Sequence, residues 1–210
     1  SDNEMVLNHS AIYQNCLAQI SDVNTLDNVL MTLNPYGTAP LSAYAGVWSD
    51  GVRTVTLSIQ DLAQSMAPIV QDFTLAVGAN LLPVLALVAD TENQVVVMSD
   101  NVVIATYTRM TQPLPATDSA DVQLGFPIIN VTQPVVDIDK VAAGFYFITH
   151  FDRYNYALDQ TGVVRWYVTQ DFPSYNLVRL DNGHFLATSE AKNTYLDMYE
   201  FDMMGRLHTF

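Results

Sequence analysis

The chain has 210 residues, half of them apolar, which is enough for one large core or two small ones. Its formal net charge is −14 and its few arginines and lysines stand singly. The clustered cations that a nucleic acid or an anionic membrane surface requires are therefore missing. Cys16 is the only cysteine, which excludes an internal disulfide and the Cys-x-x-Cys spacing of structural zinc.

The start, Ser1-Asp-Asn-Glu4, lacks an initiator Met and a basic-then-apolar leader. Either a signal has been removed or the sequence begins at an internal boundary. Met5, Ile12, Cys16 and Ile20 fall at helical spacing and predict a short amphipathic helix over 11–20, with Cys16 as a small hydrophobe. Residues 1–25 form an N-terminal arm.

From Asn28 the pattern changes to strands. Residues 29–33 end at the turn signal Asn34-Pro35-Tyr36-Gly37. Residues 41–48 come next, closed by Ser49-Asp50-Gly51. Val55, Leu57 and Ile59 then alternate with Thr54, Thr56, Ser58 and Gln60, the period of a strand with one wet face. Further strands are expected over 70–77, 82–88, 94–98 and 102–108, while 60–67 is open to a helical turn. Gly78, Asn80 and Pro83 interrupt the longest uncharged stretch, 73–89, so it is not expected to insert into a membrane. Seven short strands of this kind read as an Ig-like β-sandwich over 26–110.

Two prolines and no aromatic residue make 111–121 the expected linker. Beyond it the chain repeats itself. Tyr156-Ala-Leu-Asp-Gln-Thr-Gly162 aligns with Tyr199-Glu-Phe-Asp-Met-Met-Gly205 at an offset of 43 residues. Gly144-Phe-Tyr-Phe-Ile148 aligns with Gly183-His-Phe-Leu-Ala187 at an offset of 39. Such a period predicts β-propeller blades over 122–210. The first blade divides into strands at 135–139, 145–151, 155–159 and 163–168, the second at 176–181, 185–189, 196–202 and 206–210. The expected fold class is thus all-β: an Ig-like sandwich followed by the first two blades of a propeller. Two blades do not close a ring, so the chain is expected to be a fragment.

Asn34-Pro-Tyr-Gly-Thr-Ala-Pro-Leu-Ser-Ala43 resembles the opening motif of the N-terminal domain of bacterial arylsulfate sulfotransferases. Residues 151–167 are similar to that family's first blade. The resemblance implies a periplasmic or exported enzyme that moves a sulfuryl group from a phenolic sulfate donor to a phenol acceptor. It needs no nucleotide sulfate and no cofactor, and works through a sulfated histidine. The family's His-His-Asp motif precedes a blade's innermost strand and an Asn-Gly hairpin. The matching frame here begins Ser174-Tyr175-Asn176, so no catalytic role carries over. The resemblance places the motif past Phe210 and makes this chain alone inactive.

Propeller topology puts the loop between a blade's second and third strands on the same side as the blade-to-blade connection. His150, Asp152 and Arg153 are thereby expected near Tyr175 and Asn176, with Lys192 in the equivalent loop of the second blade. Two readings stay open: a cationic and aromatic rim for an anionic aryl sulfate, or a solvated loop in which Arg153 pairs with Asp152. Asp137 and Asp139 lack a third oxygen ligand for calcium. His184 and His208 read as surface positions, and no two of the four histidines have metal-ligand spacing. Trp166 and Phe145-Tyr146-Phe147 read as blade core. The alternatives to an enzyme are an exported module that self-assembles through strand edges into a homo-oligomer, and a non-catalytic binding propeller.

Overall fold

The computed structural model describes residues 2–62, 67–117, 125–132, 137, 141–142, 144–149, 154–169, 175–190 and 196–209. One helix, α1 (Asp2–Ala18), precedes an otherwise all-β chain. It starts nine residues before the expected helix. The gain comes from docking. Met5, Val6, Ile12, Tyr13 and Cys16 pack into two separate cores, and a ten-residue helix without such a surface would be marginal.

Seven strands form the sandwich: β1 (Leu30–Leu33), β2 (Ala43–Ser49), β3 (Arg53–Asp61), β4 (Ile69–Leu75), β5 (Gly78–Val84), β6 (Glu92–Ser99) and β7 (Val102–Met110). One sheet has the order β1-β2-β5, the other β4-β3-β6-β7, with all pairings antiparallel. The alternation read in β3 holds: Val55, Leu57 and Ile59 are buried between the sheets with Val47, Leu75, Val84, Val95 and Val97. The residues expected to form a helical turn continue β3 as far as Asp61; 63–66 lie outside the described residues.

Thr111 opens the expected linker with its Oγ1 donating to the Val88 carbonyl (2.5 Å). Leu114 packs on the sandwich core, and Phe126 is buried in it, its amide donating to the Ala116 carbonyl. The described part of this segment is therefore attached rather than a free tether.

Two antiparallel meanders complete the chain. The first comprises β8 (Tyr146–Thr149), β9 (Asn155–Leu158) and β10 (Val164–Tyr167), in the order β10-β9-β8. Its expected innermost strand falls on 135–139, of which only Asp137 is described. The second is four-stranded: β11 (Tyr175–Arg179), β12 (Phe185–Glu190), β13 (Leu196–Phe201) and β14 (Leu207–Thr209), in chain order. That is the strand order of a propeller blade.

In the first meander β9 and β10 are buried on both faces, whereas Phe145, Tyr146 and Phe147, expected in the blade core, are exposed at the β8 edge. Tyr156, Val164 and Tyr167 join the sandwich core around Phe126, while Ala157, Trp166 and Val168 face the second meander. A register shift between Val164 and Trp166 lets β10 serve both sides. Trp166 lies stacked on Phe185 (centroids 5.4 Å) and parallel to Phe201 (6.5 Å), with its Nε1–H donating to the Met203 carbonyl (2.8 Å). An indole buried with its N–H satisfied incurs no polar penalty.

Candidate functional site

The Asn34–Ala43 motif is the joint of the molecule. Asn34 takes a left-handed conformation (φ 43°), and its Oδ1 accepts the Ala39 amide (3.1 Å). Gly37 has φ 76°, its amide donating to the Asn34 carbonyl, so the turn presents Tyr36 and Thr38 to different partners. The Tyr36 and Tyr44 hydroxyls are 2.9 Å apart and buried, and the Tyr36 ring lies against His9 of α1. Burial pushes the Tyr36 hydroxyl up to about 12; burial and the Tyr36 hydroxyl both push Tyr44 upward. Thr38 donates from Oγ1 to the Gly205 carbonyl (2.7 Å) in the second meander, and its own carbonyl accepts the Thr169 amide (2.9 Å) after the first. One ten-residue motif thus ties helix, sandwich and both meanders together.

Two more contacts complete the joint. The buried Arg165 donates through Nε and Nη2 to the Ala86 carbonyl (2.9 and 2.7 Å) and through Nη1 to Asp159 Oδ2 (3.2 Å). Ala86 holds φ 63°, an uncommon conformation for a residue with a Cβ, and aims that carbonyl at the guanidinium. Burial pushes the guanidinium below its ordinary range, and Asp159 opposes the shift. Leu207 donates its amide to Nδ1 of the buried His9 (2.9 Å), fastening α1 to β14.

The strand pairings sort the ends of the meanders. Thr149 pairs with Asn155, Tyr175 with Thr188 and Glu190 with Leu196, and all of these lie at one end. Tyr175 and Asn176 begin β11 there, beside a register shift, with Asn176 exposed at φ 52°. His150, Asp152, Arg153 and Lys192 of the expected rim lie outside the described residues, as does the Asp137–Asp139 pair apart from Asp137.

The opposite end carries a cluster that linear spacing did not reveal. On the second meander Phe185, Ala187, Tyr199, Phe201 and Leu207 form the buried face, and Glu200 and His208 alternate onto the other. Pairing of Phe185 with Phe201 and of Phe201 with Leu207 brings His184, Asp202 and His208 side by side. The imidazoles of His184 and His208 stack with centroids 4.2 Å apart and planes 19° from parallel. His184 Nδ1 lies 2.5 Å from Glu200 Oε1, and His208 Nε2 lies 2.9 Å from Asp202 Oδ2. Asn182 Nδ2 also donates to Glu200 (3.0 Å), and the bonds from Asn182 and His184 hold that carboxyl below its ordinary range. The four side chains are half-buried rather than free surface groups. The repeat held the available signal: at the 43-residue offset His208 aligns with Arg165, the partner of the first meander's turn aspartate.

Among the described residues no helix is long and apolar enough to cross a membrane. No curated protein matches the chain in sequence. Two family models do: the arylsulfotransferase Ig-like domain over residues 30–114, and arylsulfotransferase (ASST) over residues 130–210. The first covers β1 to β7 and the motif joint; the second covers both meanders. Sandwich, joint and meanders agree with the two matches in the order in which they occur, and the chain is an arylsulfotransferase-like protein with the family's N-terminal Ig-like domain.

Proposed function

We propose that the protein takes part in sulfuryl transfer from a phenolic sulfate to a phenol, on a propeller to which the two meanders contribute blades. An imidazole nitrogen attacks the sulfur as the aryl–oxygen bond to sulfur breaks and phenolate leaves. The acceptor phenol then gives up its proton, which in net balance ends on the departed phenolate; its oxygen takes the sulfuryl group, and the nitrogen–sulfur bond breaks. Splitting the exchange in two is the ordinary advantage of a covalent intermediate. Cationic donors offset charge on the transferred group. His150, Asp152, Arg153, Tyr175, Asn176 and Lys192 would form one arc of the rim that admits the anionic substrate. The observation that carries the reading is the adjoining pair of family matches, which span sandwich and meanders alike. An exported or periplasmic location belongs to the same reading.

Since Ser174-Tyr175-Asn176 stand in the His-His-Asp frame, the nucleophile is assigned to a part of the protein outside residues 1–210. The test is a chromogenic aryl sulfate assayed with and without a phenol acceptor. A longer chain bearing that motif should release phenolate only when acceptor is present, and residues 1–210 should release none. Turnover with water alone, or full activity in residues 1–210, would refute the proposal.

Self-assembly through sheet edges has one observation in its favour. β7 ends the four-stranded sheet, and Val102, Val103 and Ile104 on it are exposed. A monomer by light scattering at micromolar concentration removes that reading.

A further inference from the structure

The cluster at the hairpin end of the second meander combines two imidazoles with carboxylates and lies at the end opposite Tyr175 and Asn176. We propose that His184, Asp202 and His208 bind one borderline divalent transition-metal ion, zinc(II) being the representative case, with Glu200 orienting His184.

Three observations support it. One donor atom from each of His184, Asp202 and His208 lies within 4.8 Å of the other two. Metal–ligand bonds of about 2.0–2.1 Å place neighbouring ligands of a tetrahedral ion roughly 3.3 Å apart. His208 Nε2 and Asp202 Oδ2, at 2.9 Å, need open by only about 0.4 Å to admit an ion in place of the shared proton. His184 must also close in on this pair. Its ring is nearly parallel to that of His208, so it turns out of the stack as it binds.

The second observation is the support around the donors. Glu200, itself held by Asn182, sits on His184 Nδ1 and leaves Nε2 as the donor, the carboxylate–histidine arrangement that fixes a ligand's tautomer. Asp202 Oδ1 accepts the amides of Met204 (2.8 Å) and Arg206 (3.1 Å), which fixes the carboxylate and leaves Oδ2 directed at the cluster. The third is ligand chemistry. Two imidazoles and a carboxylate select zinc, nickel or copper over magnesium or calcium, which prefer all-oxygen shells. A protein with net charge −14 also concentrates cations around itself.

The experiment uses the tag-free 210-residue chain stripped with a chelator, titrated with zinc(II) by calorimetry and with cobalt(II) by visible absorption at pH 7.5. One ion per chain is expected, with cobalt ligand-field bands of a low-coordinate nitrogen and oxygen site. His184→Ala and His208→Ala should each weaken binding at least 10-fold, and the double variant should abolish it. Glu92→Gln, which removes an exposed carboxylate from β6 of the sandwich, should leave it unchanged. Circular dichroism of each variant establishes that it is folded, and His184→Gln serves if the alanine variants are not. No saturable uptake by the native chain, or uptake unaltered in the folded double variant, overturns the proposal and leaves the cluster as a pair of hydrogen-bonded dyads.

Discussion

Asp159 and Asp202, 43 residues apart, do the same work in successive meanders and differ in what they hold. Oδ1 of Asp159 accepts the amides of Thr161 (2.9 Å) and Val163 (3.1 Å), and Oδ1 of Asp202 accepts those of Met204 and Arg206 at matching positions. Each turn ends on a glycine in the left-handed region, Gly162 (φ 85°) and Gly205 (φ 76°). The second oxygen then holds the side chain six residues on, Arg165 in one case and His208 in the other. The same turn chemistry thus presents a structural cation toward the sandwich and an imidazole toward the open face.

Arg165 should be among the least replaceable residues of the joint. Arg165→Met keeps the apolar stem but strands the Ala86 carbonyl and removes the partner of Asp159 Oδ2. Breaking a buried charged network in this way costs roughly 3–5 kcal/mol. Urea unfolding of native and variant chains measures it, and a loss under about 1 kcal/mol would contradict the assigned role.

Gly205 and Gly183 share the left-handed backbone but not the surroundings. A Cβ on Gly205 would run into Thr38 Oγ1 and meet Ala39 at 3.0 Å, whereas on Gly183 the nearest atom is Arg179 Nη2 at 3.7 Å. Gly183→Ala should therefore cost only the conformational term, about 1–2 kcal/mol. Gly205→Ala should add overpacking of about 1–3 kcal/mol and loosen the contact with Thr38. Equal losses in the two variants would show that the joint yields.

Trp166 separates packing from hydrogen bonding. Trp166→Phe preserves aromatic contact with Phe185 and Phe201 but leaves the Met203 carbonyl without its donor, at about 1–2 kcal/mol. Trp166→Ala also empties the space between the meanders, at roughly 3–5 kcal/mol. Thermal denaturation should rank native above Phe above Ala.

His9 should make stability depend on pH. Its Nδ1 accepts the Leu207 amide, which requires that nitrogen unprotonated. Burial pushes the imidazole below its ordinary value; Asp202 opposes this, while Arg206 and His208 reinforce it. The unfolded chain therefore binds the proton more readily than the folded one. The associated stability is fully present above the unfolded pKa of about 6.5 and declines as pH falls from there through the folded value. Denaturation midpoints at pH 7.5 and 5.5 should differ in that direction, and His9→Gln should reduce the difference.

Residue order alone was sufficient for everything set by local geometry. Val55, Leu57 and Ile59 alternate because successive strand side chains point to opposite faces, and that period survives any tertiary arrangement. The two Asp-x-x-Gly hairpins were legible because a carboxylate and a left-handed glycine close such a turn within a few residues. Packing decided the rest. The start of α1, the role of Thr38 and the seat of His9 depend on partners as far as 198 positions away, and no short-range pattern encodes them. The meeting of His184 and His208 likewise arises from the register of β12, β13 and β14. Cross-strand pairing brings together residues that have no periodic relation along the chain.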